Sequence, residues 1–114
     1  MGLFSRKPLS LNDLAKDERK YRDKVDKAWK YAKKLKTFDE QESWLRSEMK
    51  DAMDTRNTTA LGIGVDIAYN IYILSPQGMV SGTKEGKLYK DSLQLNDDLN
   101  NLVTGHVPIK KRRH

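Results

Sequence analysis

The sequence predicts a single α+β domain in which an N-terminal antiparallel helical hairpin packs on a small antiparallel β-sheet of two or three strands, followed by a short C-terminal helix. Three observations support this prediction. Apolar residues recur at helical spacing in the first half of the chain, large apolar residues alternate over residues 61–73, and a last apolar cluster precedes Gly105. We expect the domain to span residues 1–105, with residues 1–9 extended or flexible, and residues 106–114 to form a basic tail.

The first helix is predicted to begin after Ser10 and to run to about Lys36. Ser10 followed by Asp13 has the pattern of a helix N-cap with an acid in the first turn. Apolar residues then recur at spacings of three and four, with Glu18 filling the one polar gap between Leu14 and Tyr21, and no Gly or Pro interrupts the segment, as in an amphipathic helix. Its apolar stripe consists of Leu14, Tyr21, Val25, Ala28, Ala32 and Leu35. We expect Ala28 and Ala32 to mark a close approach to the second helix or to a second copy of the chain.

A second helix is predicted to follow almost at once and to end near Arg56. Thr37 and Glu40 form the T-x-x-E pattern of a capping box, so one helix stops and another starts there. The apolar stripe of this helix consists of Trp44, Leu45, Met49, Ala52 and Met53. Because the joint is short, the two helices are expected to be antiparallel neighbours.

The sheet is predicted from residues 61–73, where every odd position is large and apolar. A period of two is typical of a half-buried strand, and β-branched residues favour one. We therefore expect Ile67 and Ile71 to be buried and Asp66 and Asn70 to be exposed. "SPQG" at 75–78 is interpreted as a turn, "MVSG" as a returning strand and "KLY" as a third short strand.

The last helix is predicted to be short, with Asn96 or an earlier residue as its N-cap and Gly105 just past its end. Asp97 and Asp98 would lie in its first turn, where the helix dipole favours acids. The residues expected to face the core are Leu99, Leu102 and Val103.

The composition excludes several kinds of chemistry. The chain has no cysteine, which rules out disulfides, a thiol nucleophile and thiolate metal sites. Its two histidines, His106 and His114, lie in or beside the C-terminal tail, and no zinc-protease or serine-hydrolase motif is present. We therefore predict a protein without catalytic residues, cofactor or metal.

Membrane insertion and secretion are not predicted. The N-terminus lacks the apolar segment of a signal peptide, and no apolar run reaches the roughly 18 residues that a spanning helix needs. A soluble cytoplasmic protein is expected. The one alternative in this respect is peripheral membrane contact through Leu3 and Phe4 beside Arg6 and Lys7.

The positive charge is concentrated at the two ends of the chain. Net charge is +6, and residues 1–36 hold 12 Lys or Arg against 5 Asp or Glu. The segment "KAWKYAKKLK" at 27–36 combines five lysines with two aromatic residues and no acid, which suits phosphate contact and base stacking. The candidate binding residues are Lys27, Trp29, Lys30, Lys33 and Lys34 of this segment and Lys110, Lys111, Arg112 and Arg113 of the tail.

These features favour a non-enzymatic accessory protein that binds an acidic protein surface or nucleic acid, and they are compatible with a homo-oligomer. A small basic ribonuclease-like toxin, or another enzyme that uses Lys, Arg and Tyr, is the alternative. The predicted order of helical hairpin, antiparallel sheet and basic C-terminus is loosely similar to that of RelE-type ribonuclease toxins. Those toxins, however, have a strand before the helices and basic residues on the sheet, whereas residues 61–80 contain no Lys or Arg. No residue role is carried over from them.

Overall fold

The computed structural model describes residues 8–80 and 82–105, and within these two ranges the regular structure is entirely helical. The predicted α+β class, with its sheet and β-hairpin, is therefore wrong. The helices, in chain order, are α1 (Leu11–Ala15), α2 (Tyr21–Lys34), α3 (Phe38–Asp54), α4 (Thr58–Ile73) and α5 (Lys84–Thr104).

Helix α4 occupies the segment that was predicted to be the main strand. Asn57 caps it by accepting a hydrogen bond from the Ala60 backbone N–H at 3.0 Å. Its buried residues are Ala60, Leu61, Ile63, Gly64, Ile67, Ala68 and Ile71. Such a wide apolar surface is typical of a helix enclosed by others, and α4 contacts each of the other four helices. Even so, neither α4 nor any other helix of the described residues combines the length and apolar character needed to cross a bilayer.

The burial predicted for α4 is correct at Ile67 and Ile71, which are 0% and 5% exposed. The reason is different, since the two residues share a helix face at a spacing of four and do not alternate along a strand. Asp66 and Asn70 are only partly exposed, because neighbouring helices flank α4 on several sides.

Gly64 shows that tertiary packing in α4 outweighs the low helix propensity of an interior glycine. A Cβ at this position would lie 2.8 Å from Met49 Cγ, so Gly64 lets α3 and α4 approach closely. An interior glycine costs a helix about 1 kcal/mol relative to alanine. Tertiary packing supplies most of the stability of protein helices, and the burial of α4 by four neighbours outweighs this cost.

The predicted first helix is divided into α1 and α2. Ser10 is the N-cap as predicted, since its Oγ accepts a hydrogen bond from the Asp13 N–H at 3.2 Å. The helix nevertheless ends at Ala15. The Asp17 carboxylate accepts bonds from the Arg19 backbone N–H at 2.9 Å and from Arg19 Nε at 3.0 Å. Such a local side-chain bond competes with helical hydrogen bonding, which explains a break without Gly or Pro.

Helices α2 and α3 are connected as predicted but pack differently. The Thr37–Glu40 capping box is present. The two helices meet near their joint, where the Tyr31 and Trp44 ring centroids lie 4.9 Å apart. Ala28 is fully buried, in agreement with the predicted close approach, but α2 packs mainly on α4 and not along α3.

Helix α5 includes both the segment predicted as the third strand and the predicted short last helix, whereas the segment predicted as the second strand precedes it. Its N-cap is Thr83, a residue earlier than Asn96, and Thr83 accepts from the Gly86 N–H at 3.0 Å. Gly105 ends it with a φ of 78°, as predicted. Leu99 is buried, but Leu102 and Val103 are 53% and 45% exposed, which contradicts their predicted place in the core.

The exposure at the end of α5 follows from helix length. The 21 residues of α5 exceed the 16 residues of α4, and at 1.5 Å per residue the difference is about 8 Å. The turn at 75–78 that joins the two helices is present, with the Gly78 N–H bonded to the Ser75 carbonyl at 2.9 Å. It connects two helices, and not two strands.

Candidate functional site

The exposed face of α2 is determined by its buried one. The buried residues of this helix are Val25, Ala28 and Ala32. Because they face the core, the opposite side of the helix faces solvent. Lysines near the C-terminus of a helix also interact favourably with its dipole, and Lys33 and Lys34 occupy the last turn. The lysine-rich half of α2 is therefore both helical and solvent-facing.

Three of the predicted binding residues line one open groove beside α2. Lys27, Lys30 and Lys34 fall at spacings of three and four, so they share one side of the helix. We call this depression, of about 570 Å³, the lysine groove. Its lining residues are Leu9, Arg19, Asp23, Asp26, Lys27, Lys30, Tyr31 and Lys34.

Charge is unevenly distributed along the lysine groove. None of the salt bridges among the described residues involves Lys27, Lys30 or Lys34, whereas Arg19, which also lines the groove, is paired with Asp17. Asp23 and Asp26 lie toward the N-terminus of α2, whereas residues 27–36 contain no acid. The groove is thus mixed in charge at one end and positive at the other.

Trp29 and Lys33 are not part of this groove. Lys33 Nζ lies 6.0 Å from the centroid of the Trp29 indole, the outer limit of a cation–π contact. Trp29 is partly buried and packs against the core. Tyr31, which does line the groove, contacts Trp44. The aromatic residues of this segment therefore have packing roles, and the lysines provide the accessible chemistry.

The remaining predicted site residues cannot be placed. The tail residues Lys110, Lys111, Arg112 and Arg113 lie outside the described residues, as do Leu3, Phe4 and both histidines. The structure therefore brings together three of the nine predicted binding residues.

Two titratable groups at helix contacts have raised pKa values. Burial, together with a hydrogen bond to Asp66, raises the pKa of Tyr21. Burial also raises the pKa of Glu48, although the Leu11 backbone N–H that bonds to its carboxylate opposes this shift. In the part of the chain that the structure describes, no cluster of three or more His, Cys, Asp or Glu side chains is arranged to hold a metal ion.

Sequence reasoning missed a second groove, which lies between α4 and α5 and is lined by Tyr72, Tyr89 and three lysines. Lys84, Lys87 and Lys90 recur every three residues, a spacing that places side chains near one another only on a helix. The spacing of these lysines does not indicate a groove from the sequence, because turns and short strands are predicted for this segment.

Comparison of the chain with protein-family models, with curated proteins and with solved structures finds no match. The chemistry of the two grooves is therefore the basis for a proposed function. That chemistry consists of lysine ammonium groups beside aromatic and aliphatic surface.

Proposed function

We propose that the protein is a non-enzymatic binding protein whose lysine groove contacts the phosphate backbone of nucleic acid. The observation that carries this proposal is the position of Lys27, Lys30 and Lys34 along one groove, with no ion-pair partner among the described residues. Lysines already neutralised by carboxylates would have little net charge to offer. Within the described residues, no carboxylate forms a salt bridge with these three lysines.

The spacing of the lysines suits contact with a charged chain more than contact with a small ligand. Lys27 and Lys34 are seven residues apart, which corresponds to about 10 Å along a helix. Lysine is a flexible point charge without the fixed fork of arginine. It therefore suits phosphate contacts, which position a protein on nucleic acid without reading its sequence.

The acids of the groove limit where a polyanion can lie. Asp23 and Asp26 line the same depression and would repel phosphates there. Arg19 lies close to a carboxylate as well, with its guanidinium 2.9 Å from Asp17 Oδ2. The proposed contact is thus centred on the C-terminal half of α2.

An acidic protein surface is the second candidate partner. The mixture of Asp23 and Asp26 with the lysines suits a partner of mixed charge, since complementary charges across an interface fix its register. Self-association of the chain is compatible with either partner. The alternative of a ribonuclease-like toxin or another basic enzyme that uses Lys, Arg and Tyr stays a prediction. Only the loose similarity to RelE-type toxins rested on a sheet, and the described residues contain none.

Co-purification of the full chain from its native cell, with and without nuclease, tests the proposal. Nucleic acid bound through the backbone should accompany the protein at low salt and disappear after nuclease treatment or at high salt. A protein companion that survives nuclease treatment would support the second candidate. Turnover of an RNA substrate by the purified protein would contradict the non-enzymatic proposal.

A further inference from the structure

The contact between α4 and α5 carries a cluster of three tyrosines. The Tyr89 ring lies 5.4 Å from the Tyr69 ring and 5.8 Å from the Tyr72 ring, measured between centroids, and it is stacked with Tyr72 at an interplanar angle of 26°. Tyr69 is 40% exposed, and Tyr72 and Tyr89 are partly exposed. Aromatic surface is thus presented to solvent at a helix–helix contact.

Gly86 fixes the Tyr72 ring against the backbone of α5. A Cβ at residue 86 would lie 3.1 Å from Tyr72 Cε1, closer than an ordinary van der Waals contact. The absence of a side chain at Gly86 therefore leaves room for the Cε1 side of the Tyr72 ring beside α5. A ring held in this way loses little conformational freedom when a ligand stacks on it.

Lysines surround this aromatic surface. We call the open depression of about 660 Å³ here the tyrosine groove; it is lined by Tyr72, Tyr89 and Leu93 together with Lys84, Lys87 and Lys90. The acid in the groove, Asp91, is bonded to Arg46 at 3.0 Å and to Lys87 at 3.3 Å. Lys90 has no ion-pair partner among the described residues.

We propose that the tyrosine groove binds an unpaired nucleobase of a single strand, with the base stacked on Tyr72 and the flanking phosphates at Lys84 and Lys90. Charge complementarity argues for this occupant, because Lys84 and Lys90 lie beside an aromatic face and form no salt bridge among the described residues, whereas Lys87 is paired with Asp91. Aromatic platforms beside lysines are the usual means of binding single strands without sequence preference. The inference rests on the proposed function and adds to it a preference for unpaired strands.

The test compares a short labelled oligothymidylate with a DNA duplex of the same length by fluorescence anisotropy, using the full chain. We expect Tyr72→Leu to weaken oligothymidylate binding about tenfold and to leave duplex binding unchanged, because paired bases cannot stack on the ring. Tyr72→Phe is the matched control, since it keeps the ring, and it should bind both probes as the wild type does. Circular dichroism checks that each variant is folded.

A second measurement uses the wild-type protein and needs no substitution in the tyrosine groove. On addition of oligothymidylate to the wild-type protein, the ring proton resonances of Tyr72 and Tyr89 should shift, because a stacked base adds its own ring current. Unshifted resonances, unchanged oligothymidylate binding by folded Tyr72→Leu, or equal weakening of both probes would each overturn the stacking site. If the wild type binds neither probe in a salt-dependent manner, the proposed function fails together with this inference.

Discussion

The Tyr21 hydroxyl donates a hydrogen bond to Asp66 Oδ2 at 2.8 Å, which joins the first turn of α2 to the middle of α4. The same hydroxyl would lie 3.2 Å from a Cβ at Gly62, so α4 has no side chain where the tyrosine approaches. This contact helps to hold α2 on the central helix, and it thereby orients the lysine groove on the other side of α2.

Tyr21→Phe should lower the free energy of unfolding by about 0.5–1 kcal/mol, because a partly exposed hydrogen bond is lost. Burial and the bond to Asp66 raise the pKa of Tyr21 above its usual value of 10.0. The folded chain therefore holds this proton more tightly than the unfolded chain, and the stabilisation is present below about pH 10 and lost as the pH rises through the folded-state pKa. Denaturant titrations from pH 8 to pH 11 should show a smaller decline for Tyr21→Phe than for the wild type; equal declines would contradict this account.

Gly64→Ala should be destabilising by about 1 kcal/mol, although alanine is the better helix former. The added Cβ would lie 2.8 Å from Met49 Cγ, and Met49 is fully buried, so overpacking outweighs the gain in helix propensity. Gly62→Ala is the matched control, because a Cβ there would lie 3.2 Å from the hydroxyl of the exposed Tyr21 side chain, a milder contact whose relief costs at most the Tyr21–Asp66 hydrogen bond. The midpoint temperature of thermal unfolding should be lower for Gly64→Ala than for Gly62→Ala. The reverse order would show that α3 and α4 are further apart than the structure has them.

Thr83→Ala should cost about 1 kcal/mol, because it removes the side chain that accepts a hydrogen bond from the Gly86 N–H at the start of α5. Thr59→Ala is the control, since Thr59 is exposed in the first turn of α4 and caps no helix. Chemical denaturation of both variants checks the expectation. Equal stability of the two would mean that α5 does not begin at Lys84.

Trp29→Ala should lower the free energy of unfolding by about 1–3 kcal/mol, less than for a fully buried tryptophan. Trp29 is partly buried against the core, so its main role is expected to be packing and not base stacking. Trp29→Phe should recover much of the lost stability. A fully stable Trp29→Ala that loses only single-strand binding would contradict this assignment and would favour a stacking role.

Residues 61–73 explain why the fold class was predicted incorrectly. Leu61, Ile63, Ile67 and Ile71 occupy odd positions, as in a strand, but Leu61, Gly64, Ile67, Ala68 and Ile71 also follow the three-and-four spacing of one helix face. A helix buried on most sides is apolar almost all round, so its sequence satisfies both periods. The choice depends on the four neighbouring helices, and local spacing contains no information about them.

Helix ends were predictable where a side chain bonds to nearby backbone. The Ser10 cap, the Thr37–Glu40 capping box and the Gly105 end are local features, and all three are correct. The break at Asp17 was missed because Asp17 stands in a run of five charged residues, 16–20, which the exposed face of a continuous helix also accommodates. The lysine groove was partly anticipated for a similar reason, since lysine spacing on one helix is local, whereas the tyrosine groove requires the pairing of α4 with α5.

The salt dependence of nucleic-acid binding by the variant Lys27→Gln, Lys30→Gln, Lys34→Gln tests the central claim most directly. Log affinity for a DNA duplex falls with log salt concentration at a slope near −0.9 for each phosphate neutralised. The triple variant should therefore have a slope about two to three units shallower than the wild type and should bind all sequences more weakly.

The charge-matched control is Lys16→Gln, Lys20→Gln, Arg56→Gln, which removes three exposed cations that lie outside the lysine groove and form no salt bridge among the described residues. Its slope should stay close to that of the wild type if the groove is the binding site. Equal slopes for the two triple variants would show that binding depends only on net charge. That result, or a wild type without salt-dependent binding near physiological ionic strength, would contradict the proposed role of the lysine groove.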